Sequence, residues 1–406
     1  MDTPSFENAR IMMYSHDTFG LGHLRRCREI AHALVEAYRG LQVLIISGAA
    51  VAGAFDYRVR VDFLKIPSVI KLRNGEYTSL AEHMRLEDTL AMRRAIIRQT
   101  AETFRPDIFI TDKEPMGLQG EIEETLEDLK ARGTGLVLGL REVMDAPHLL
   151  RAEWARADMM RKIDRFYDRI WVYGPEGFHD PLVGLEVPGP VRERMRYTGF
   201  LQRSVHRHED VPARDLGDYT LVTTGGGGDG AELIRAVFAA YRADPGLTRR
   251  AVVVLGPYLP GKERTELQAA AQGLPIEVIP FDNRMEDLIA GASAVVGMGG
   301  YNTYCEILSF DRPALIVPRS QPREEQLIRA SRAAELGIVR MMSAEEAAAD
   351  PLRLAAVLHD LPGAHRPSEA CGDSGLCDLD GLPRIAGEVG RWLTERRRPR
   401  LTAAHG

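Results

Sequence analysis

Residues 16–23, HDTFGLGH, set two histidines, an acid and two glycines directly behind the short apolar run IMMYS. Imidazole is the side chain whose charge changes nearest neutral pH, so His16 and His23 beside Asp17 suit proton transfer. The stretch that follows, LRRCREIAHALVEAYRG, places Leu24, Cys27, Ile30, Ala31, Leu34 and Val35 on one helical face, with Gly40 as a stop. The histidines therefore lie in a strand-to-helix turn, where α/β proteins bind ligands.

Two further stretches suit anion binding. TLVTTGGGGDGAELIRAVFAAY reads as a strand, four glycines and a helix. Glycines let backbone N–H groups approach a phosphate, and the helix N-terminus behind them adds partial positive charge. Gly225, Gly227 and Gly230 formally satisfy the dinucleotide pattern GxGxxG. The acid that should follow the next strand is missing, because AVVVLGPYLPGK offers Gly256 there. A nicotinamide cofactor is disfavoured on that mismatch, and a P-loop is excluded because no GK[ST] follows. A tight turn without ligand is the bland alternative, but four consecutive glycines cost entropy without packing return. The third stretch has a glycine turn, Gly297–Gly300, opening a helix that carries Glu306. A strand from Pro313 to Pro318 follows, then polar residues including Arg319, then a helix with Glu325 and Gln326.

The elements that must position these residues alternate regularly. IMMYS, QVLIIS, VDFLKI, DIFIT, GLVLGL and RIWVY are separated by helical stretches, and after RYTGFLQR the alternation restarts with YTLVTT, AVVVLGP, IEVIPF, AVVGMG, PALIVP and IVRMM. Such βαβ alternation implies parallel sheets covered on both faces. The expected organisation is a first Rossmann-like domain over 1–200, a polar linker over 201–217 and a second over 218–406. Within the second, residues 361–380 read as loop and 381–398 as a closing amphipathic helix. The two halves share architecture without a visible sequence repeat.

Bulk properties agree. The chain has 406 residues, beyond the roughly 250 to 300 at which single cores stop growing. Its apolar fraction of 45% and charged fraction of 27% are those of a globular protein. A net charge of −6 gives no general attraction to nucleic acid. Four scattered cysteines do not make a disulfide framework, and with no signal-peptide pattern and no spanning helix a cytoplasmic setting is expected. The arginine-rich end, ERRRPR, reads as a solvated tail allowing at most peripheral contact with the inner face of a membrane.

The stretch from VIPFDNRMEDL through EEQLIRASRAAELGIV resembles the C-terminal domain of family 28 glycosyltransferases, the MurG type, which have the GT-B architecture of two Rossmann-like domains facing across a cleft. The matching residues are spread over roughly 276–340, and the glycine turns at 20–23 and 225–230 fit the same family. The resemblance implies that Phe281 through Met285 border the nucleotide base, usually uracil. Glu306 would accept from the ribose hydroxyls, as suits an acceptor-only carboxylate. Gly226, Gly227, Gly299 and Gly300 would offer N–H groups to the diphosphate. Gln326, Glu325 and Arg319 would meet the donor sugar. The MurG pattern has two glutamines at 325–326, so Glu325 is a departure and points to a donor sugar other than N-acetylglucosamine.

The resemblance also gives the opening stretch a role. GLGH places Gly20, Gly22 and His23 where the family turns its first domain toward the acceptor. Inverting transfer requires an acceptor oxygen to lose its proton as it attacks the anomeric carbon. His23, Asp17 and His16 are candidate bases, as are Asp112 in FITDKEP and Glu142 in LVLGLREVMD, the last lying where the family places a cleft carboxylate. No metal is implied: the DxD of Asp378 and Asp380 lies in a late loop and reads as accidental, and Cys371 and Cys377 lack a second pair of ligands at zinc spacing. Cys305 reads as a small buried apolar residue. The expected function is inverting, metal-independent glycosyl transfer from a nucleotide sugar, UDP-linked, to an unidentified lipid-linked or small acceptor, with no cofactor beyond that co-substrate. The alternatives are a nucleotide-sugar epimerase or hydrolase of the same fold, and a non-catalytic nucleotide-sugar-binding subunit.

Overall fold

The computed structural model describes residues 4–16, 21–71, 77–81, 83–205, 216–226 and 228–397. In chain order the strands of the first half are β1 (Arg10–Ser15), β2 (Gln42–Ser47), β3 (Val61–Lys65), β4 (Val69–Lys71), β5 (Tyr77–Ser79), β6 (Ile108–Asp112), β7 (Gly135–Arg141), β8 (Arg169–Tyr173) and β9 (Met195–Tyr197). Except for the β4–β5 hairpin they form one seven-stranded parallel sheet, ordered β3-β2-β1-β6-β7-β8-β9. β6 and β7 are buried along their whole length, as expected of strands covered by helices on both faces.

The second half repeats the plan with β10 (Tyr219–Thr223), β11 (Arg250–Val254), β12 (Ile276–Ile279), β13 (Ala294–Gly297), β14 (Ala314–Ile316) and β15 (Arg340–Met341). Their order is β12-β11-β10-β13-β14-β15, again all parallel. In each sheet the strand order reverses once, between β1 and β6 in the first and between β10 and β13 in the second. Crevices at the carboxyl ends of such strands are where doubly wound sheets hold ligands.

The tertiary structure revises the chain-order partition in three places. The closing helix, Gly381–Arg397, had been placed with the second domain but packs on the first. The Tyr38 hydroxyl donates to Ala386 O (2.8 Å), Trp171 Nε1 to Glu388 Oε2 (2.6 Å) and Arg396 Nη1 to Asp107 O (2.8 Å). The chain thus crosses between the domains twice. The crossings lie side by side, because Phe200 N donates to Asp378 O (2.7 Å) and Gly381 N to Phe200 O (3.1 Å).

Residues 361–380 are more ordered than a loop. They hold a 3-10 turn at Leu361–Gly363, a short helix at Pro367–Cys371 with proline in its first turn, and a bridge between Cys371 and Cys377 with Cα atoms 5.9 Å apart. Two of the four cysteines are therefore bonded, in a local bridge of the kind the scattered spacing had not suggested. Finally, the described start of the expected linker is partly buried: Leu201 and Arg203 are buried between exposed Gln202 and Ser204, and Arg203 donates to Ser309 Oγ from its main chain (2.8 Å) and to Asn302 Oδ1 from its side chain (2.8 Å). Residues 206–215 of that linker lie outside the described residues.

Candidate active site

At the first switch point the parallel register places Ser15 of β1 beside Asp112 of β6. The chain leaving β1 enters the helix Gly22–Ala37, so His23 arrives one turn above the end of β6. His23 Nδ1 lies 2.6 Å from Asp112 Oδ2, and Arg26 donates to both carboxylate oxygens, at 3.1 and 2.6 Å. Burial raises the Asp112 pKa, but Arg26 and then His23 outweigh it and hold the carboxyl well below the usual carboxylate range. An ionised carboxylate only accepts, so the Nδ1 contact requires hydrogen on Nδ1. Arg26 Nη2 also lies 3.3 Å from Nδ1. A guanidinium has no acceptor, so the shorter Asp112 contact decides the tautomer. Nε2 then carries the lone pair. A base oriented by a buried carboxylate is the arrangement that proton abstraction requires.

The other base candidates fare differently. Asp17, with Gly20, lies outside the described residues. His16 is buried, with Nδ1 3.5 Å from the Tyr14 hydroxyl and its ring edge-on to His23 at 5.6 Å. Its pKa is lowered to about 3, by burial first, with Glu114 opposing and His23 and Lys113 adding. Such a ring stays neutral and is a poor base. Because the unfolded chain takes up this proton near pH 6.5 and the native one does not, His16 contributes stability above that pH that is lost on acidification toward 3. The expected loss is about 3 kcal/mol by pH 4. Comparing thermal unfolding of the wild type and His16→Gln at pH 7 and pH 4 checks it: the variant should lose less on acidification.

Glu142, the third candidate base, is fully buried and ion-paired with Arg329, itself fully buried. Arg329 Nη1 also donates to Gly299 O at 3.0 Å. This corrects the expectation of a cleft base. The Glu142 carboxylate is a strut between the two domains, enclosed by protein on every side.

At the second switch point Thr223 of β10 pairs with Gly297 of β13, which brings the two glycine turns together. Gly299 has φ +76°, and a Cβ there would stand 2.7 Å from Ile316 Cγ2. Gly300 caps the helix Tyr301–Ser309, whose first turn supplies backbone N–H groups. Of the other turn, Gly226 is described, its carbonyl accepting from Tyr258 N at 3.0 Å, and Gly227 lies outside the described residues. The turn packs on Gly256, where a Cβ would meet Gly225 O at 2.7 Å. The position that lacks the dinucleotide acid is thus a close backbone contact.

Glu306 is 1% exposed. Burial pushes its pKa up to about 7, Arg25 opposing and Glu286 adding. Arg25, from the first domain, donates to both carboxylates, with Glu286 at 2.8 Å. Phe281 is half-buried and meets Phe55 of the first domain edge-on at 6.4 Å, and Met285 begins the helix Met285–Gly291 beside it. Glu325 accepts from Arg141 of the first domain at 2.7 Å and from Arg319 at 3.4 Å. Burial raises the Glu325 pKa but Arg141 leads the charges that bring it well below the usual range. Gln326 Oε1 accepts from Arg319 N at 3.2 Å, and the Arg319 side chain also pairs with Asp229 of the first glycine turn. The proposed donor-side residues thus form two groups, Glu306 with Glu286 around Arg25 and Glu325 with Gln326 and Asp229 around Arg319. Burial pushes the Cys305 thiol up to about 11, which makes it inert at neutral pH.

Sequence reasoning missed the arginines. Arg25, Arg26, Arg141, Arg203, Arg323 and Arg329 all form contacts between or beneath these residues, Arg323 with Asp145 at 2.8 Å. For all but Arg203 the signal was present in the runs HLRRC, LREV and QPREEQLIR. Among the described residues no group of three or more His, Cys, Asp or Glu side chains is placed to hold a metal ion, and no helix is long and apolar enough to cross a membrane.

Comparison with known proteins agrees with this geometry. Residues 220–367 match the glycosyltransferase family 28 C-terminal domain. Over 248 residues the chain is 25% identical to the UDP-N-acetylglucosamine--N-acetylmuramyl-(pentapeptide) pyrophosphoryl-undecaprenol N-acetylglucosamine transferase of Saccharopolyspora erythraea, covering 58% of this chain and 63% of that one. It is 33% identical over 129 residues to the protein of the same name from Methylorubrum extorquens, covering 31% and 34%. The matches thus span less than two thirds of these relatives' length. The crystal structure of the glycotransferase of kitacinnamycin superposes with a TM-score of 0.62 at 19% identity, covering 95% of this chain and 99% of the other. The chain has the GT-B architecture, and residues 220–367 of its second domain are similar to the glycosyltransferase family 28 C-terminal domain.

Proposed function

We propose that the protein transfers a sugar with inversion, and without a metal, from a UDP-linked donor held by the second domain to an acceptor deprotonated by His23 of the first. The observation that carries this reading is the meeting of two half-sites. His23 and Asp112 stand at one switch point, the glycine turns and Glu306 at the other, and Arg25 joins them. In the proposed reaction Nε2 of His23 takes the acceptor proton as the acceptor oxygen bonds to the anomeric carbon. The bond from that carbon to the diphosphate oxygen breaks, and backbone N–H groups of the turn ending at Gly300 stabilise the leaving charge. Asp112 holds the imidazolium. The acceptor is a hydroxyl compound, lipid-linked as in the names of the curated relatives or small.

The test is calorimetric titration of the protein with UDP and with ADP, beside Glu306→Ala. UDP is expected to bind more tightly than ADP. The substitution removes a hydrogen-bond acceptor that is charged when the donor is bound, which costs about 1.5–3 kcal/mol, or ten- to a hundredfold in Kd. Equal binding of UDP by the variant would show that Glu306 does not read the ribose. Incubation with UDP-sugars alone then separates transfer from the alternative chemistry, since an epimerase or hydrolase turns over its donor with no acceptor present.

A further inference from the structure

The two carboxylates proposed to read the donor's hydroxyls are each engaged by an arginine from the opposite domain. Glu306 pairs with Arg25 and Glu325 with Arg141. These arginines reach across from helix Gly22–Ala37 and the end of β7, so the contacts depend on how the domains meet. We infer that Arg25 and Arg141 form an interdomain latch that competes with the donor, Arg25 for the place of the ribose hydroxyls and Arg141 for that of the sugar hydroxyls. The inference rests on the donor reading above and assigns two first-domain residues a part in donor affinity.

Three observations favour competition over coexistence. First, the acids are enclosed: Glu306 is 1% and Glu325 7% exposed, and each carboxylate already accepts from the arginine of the opposite domain. Second, hydrogen bonds between ionised partners are about twice as strong as neutral ones, so hydroxyls replace a guanidinium only when other donor contacts contribute. Third, the latch is imperfect. Arg141 Nε is buried without a hydrogen-bond partner among the described residues, and Glu286 and Glu306 share the single guanidinium of Arg25. A buried N–H without a partner is unfavourable, which lowers the cost of moving Arg141 aside. The neighbouring pairs Arg329–Glu142 and Arg323–Asp145 also join the domains, without a hydrogen bond to either donor-reading acid among the described residues.

The experiment is titration with UDP, UDP-glucose and UDP-N-acetylglucosamine at one alkaline pH for every variant. Arg25→Met should tighten all three about tenfold, the gain expected when the competent arrangement is populated one time in ten. Arg141→Met should tighten the UDP-sugars and leave UDP unchanged, because only the sugar meets Glu325. Arg85→Met, in an exposed pair with Asp88, is the control and should change nothing. Unchanged or weaker UDP binding by Arg25→Met, with Glu306→Ala weakening the wild type as proposed, overturns the latch and leaves the donor reading standing. Glu306→Ala without effect overturns both. If Arg25→Met fails to fold because Glu286 and Glu306 are left facing each other, Arg141→Met decides alone, since Glu325 keeps Arg319. An Arg141→Met protein that binds UDP-sugars no more tightly overturns the inference.

Discussion

His23→Ala is expected to lower acceptor-dependent release of UDP by about 10²–10⁴-fold, the usual worth of a positioned general base, while leaving UDP affinity unchanged. The split follows from position. His23 belongs to the first-domain switch point and contacts Asp112 and Arg26, whereas the residues proposed to read the nucleotide lie on the second domain. The substitution also leaves the fold intact, because its side chain is 15% exposed and the Asp112–Arg26 pair beneath it survives. Asp112→Asn is a less clean probe. It removes the carboxylate that fixes the tautomer but also strips buried Arg26 of its charge partner, so activity and stability should fall together. Turnover and UDP calorimetry on both variants check the assignment. A His23→Ala protein with wild-type turnover would remove His23 as the base.

Glu142→Ala is expected to destabilise the protein by about 3–5 kcal/mol, the cost of leaving a buried charge without its partner. Glu142 and Arg329 are both fully inaccessible, and losing the carboxylate removes the ion-pair partner of the Arg329 guanidinium. At roughly 2–4 °C per kcal/mol for a domain of this size, the melting temperature should drop by on the order of 10 °C. The double variant Glu142→Leu with Arg329→Met should recover most of the loss, since apolar replacement of a buried pair is often neutral or stabilising. Scanning calorimetry of the three proteins measures this. A Glu142→Ala protein that melts normally but has lost turnover would return Glu142 to the list of bases.

Some of this was legible in the chain. The alternation of apolar runs implies two doubly wound sheets because parallel strands buried on both faces must be continuously apolar, and that property is local. The glycine turns at 225–230 and 297–300 were legible for the same local reason, the absence of side chains between strand and helix, and they are the basis of the proposed diphosphate site. Glu306 gained meaning from its fixed distance behind such a turn. Helical periodicity showed that Gly381–Arg397 is amphipathic, but an apolar face does not state which surface will cover it, and the first domain does.

The sequence by itself determined the kind of architecture, the positions of the glycine turns and a short set of titratable side chains at strand ends. Only the tertiary structure decided among those side chains. His23 and Asp112 lie 89 positions apart and meet because β1 and β6 are neighbours in the sheet. Glu142 and Arg329 lie 187 apart and meet because the domains pack together. Charge partners are chosen by burial, where a charge without a partner is most costly, and burial belongs to the packed molecule. Glu142, one residue past the end of β7, therefore became a strut, and arginines that no motif had marked came to join the candidate site residues.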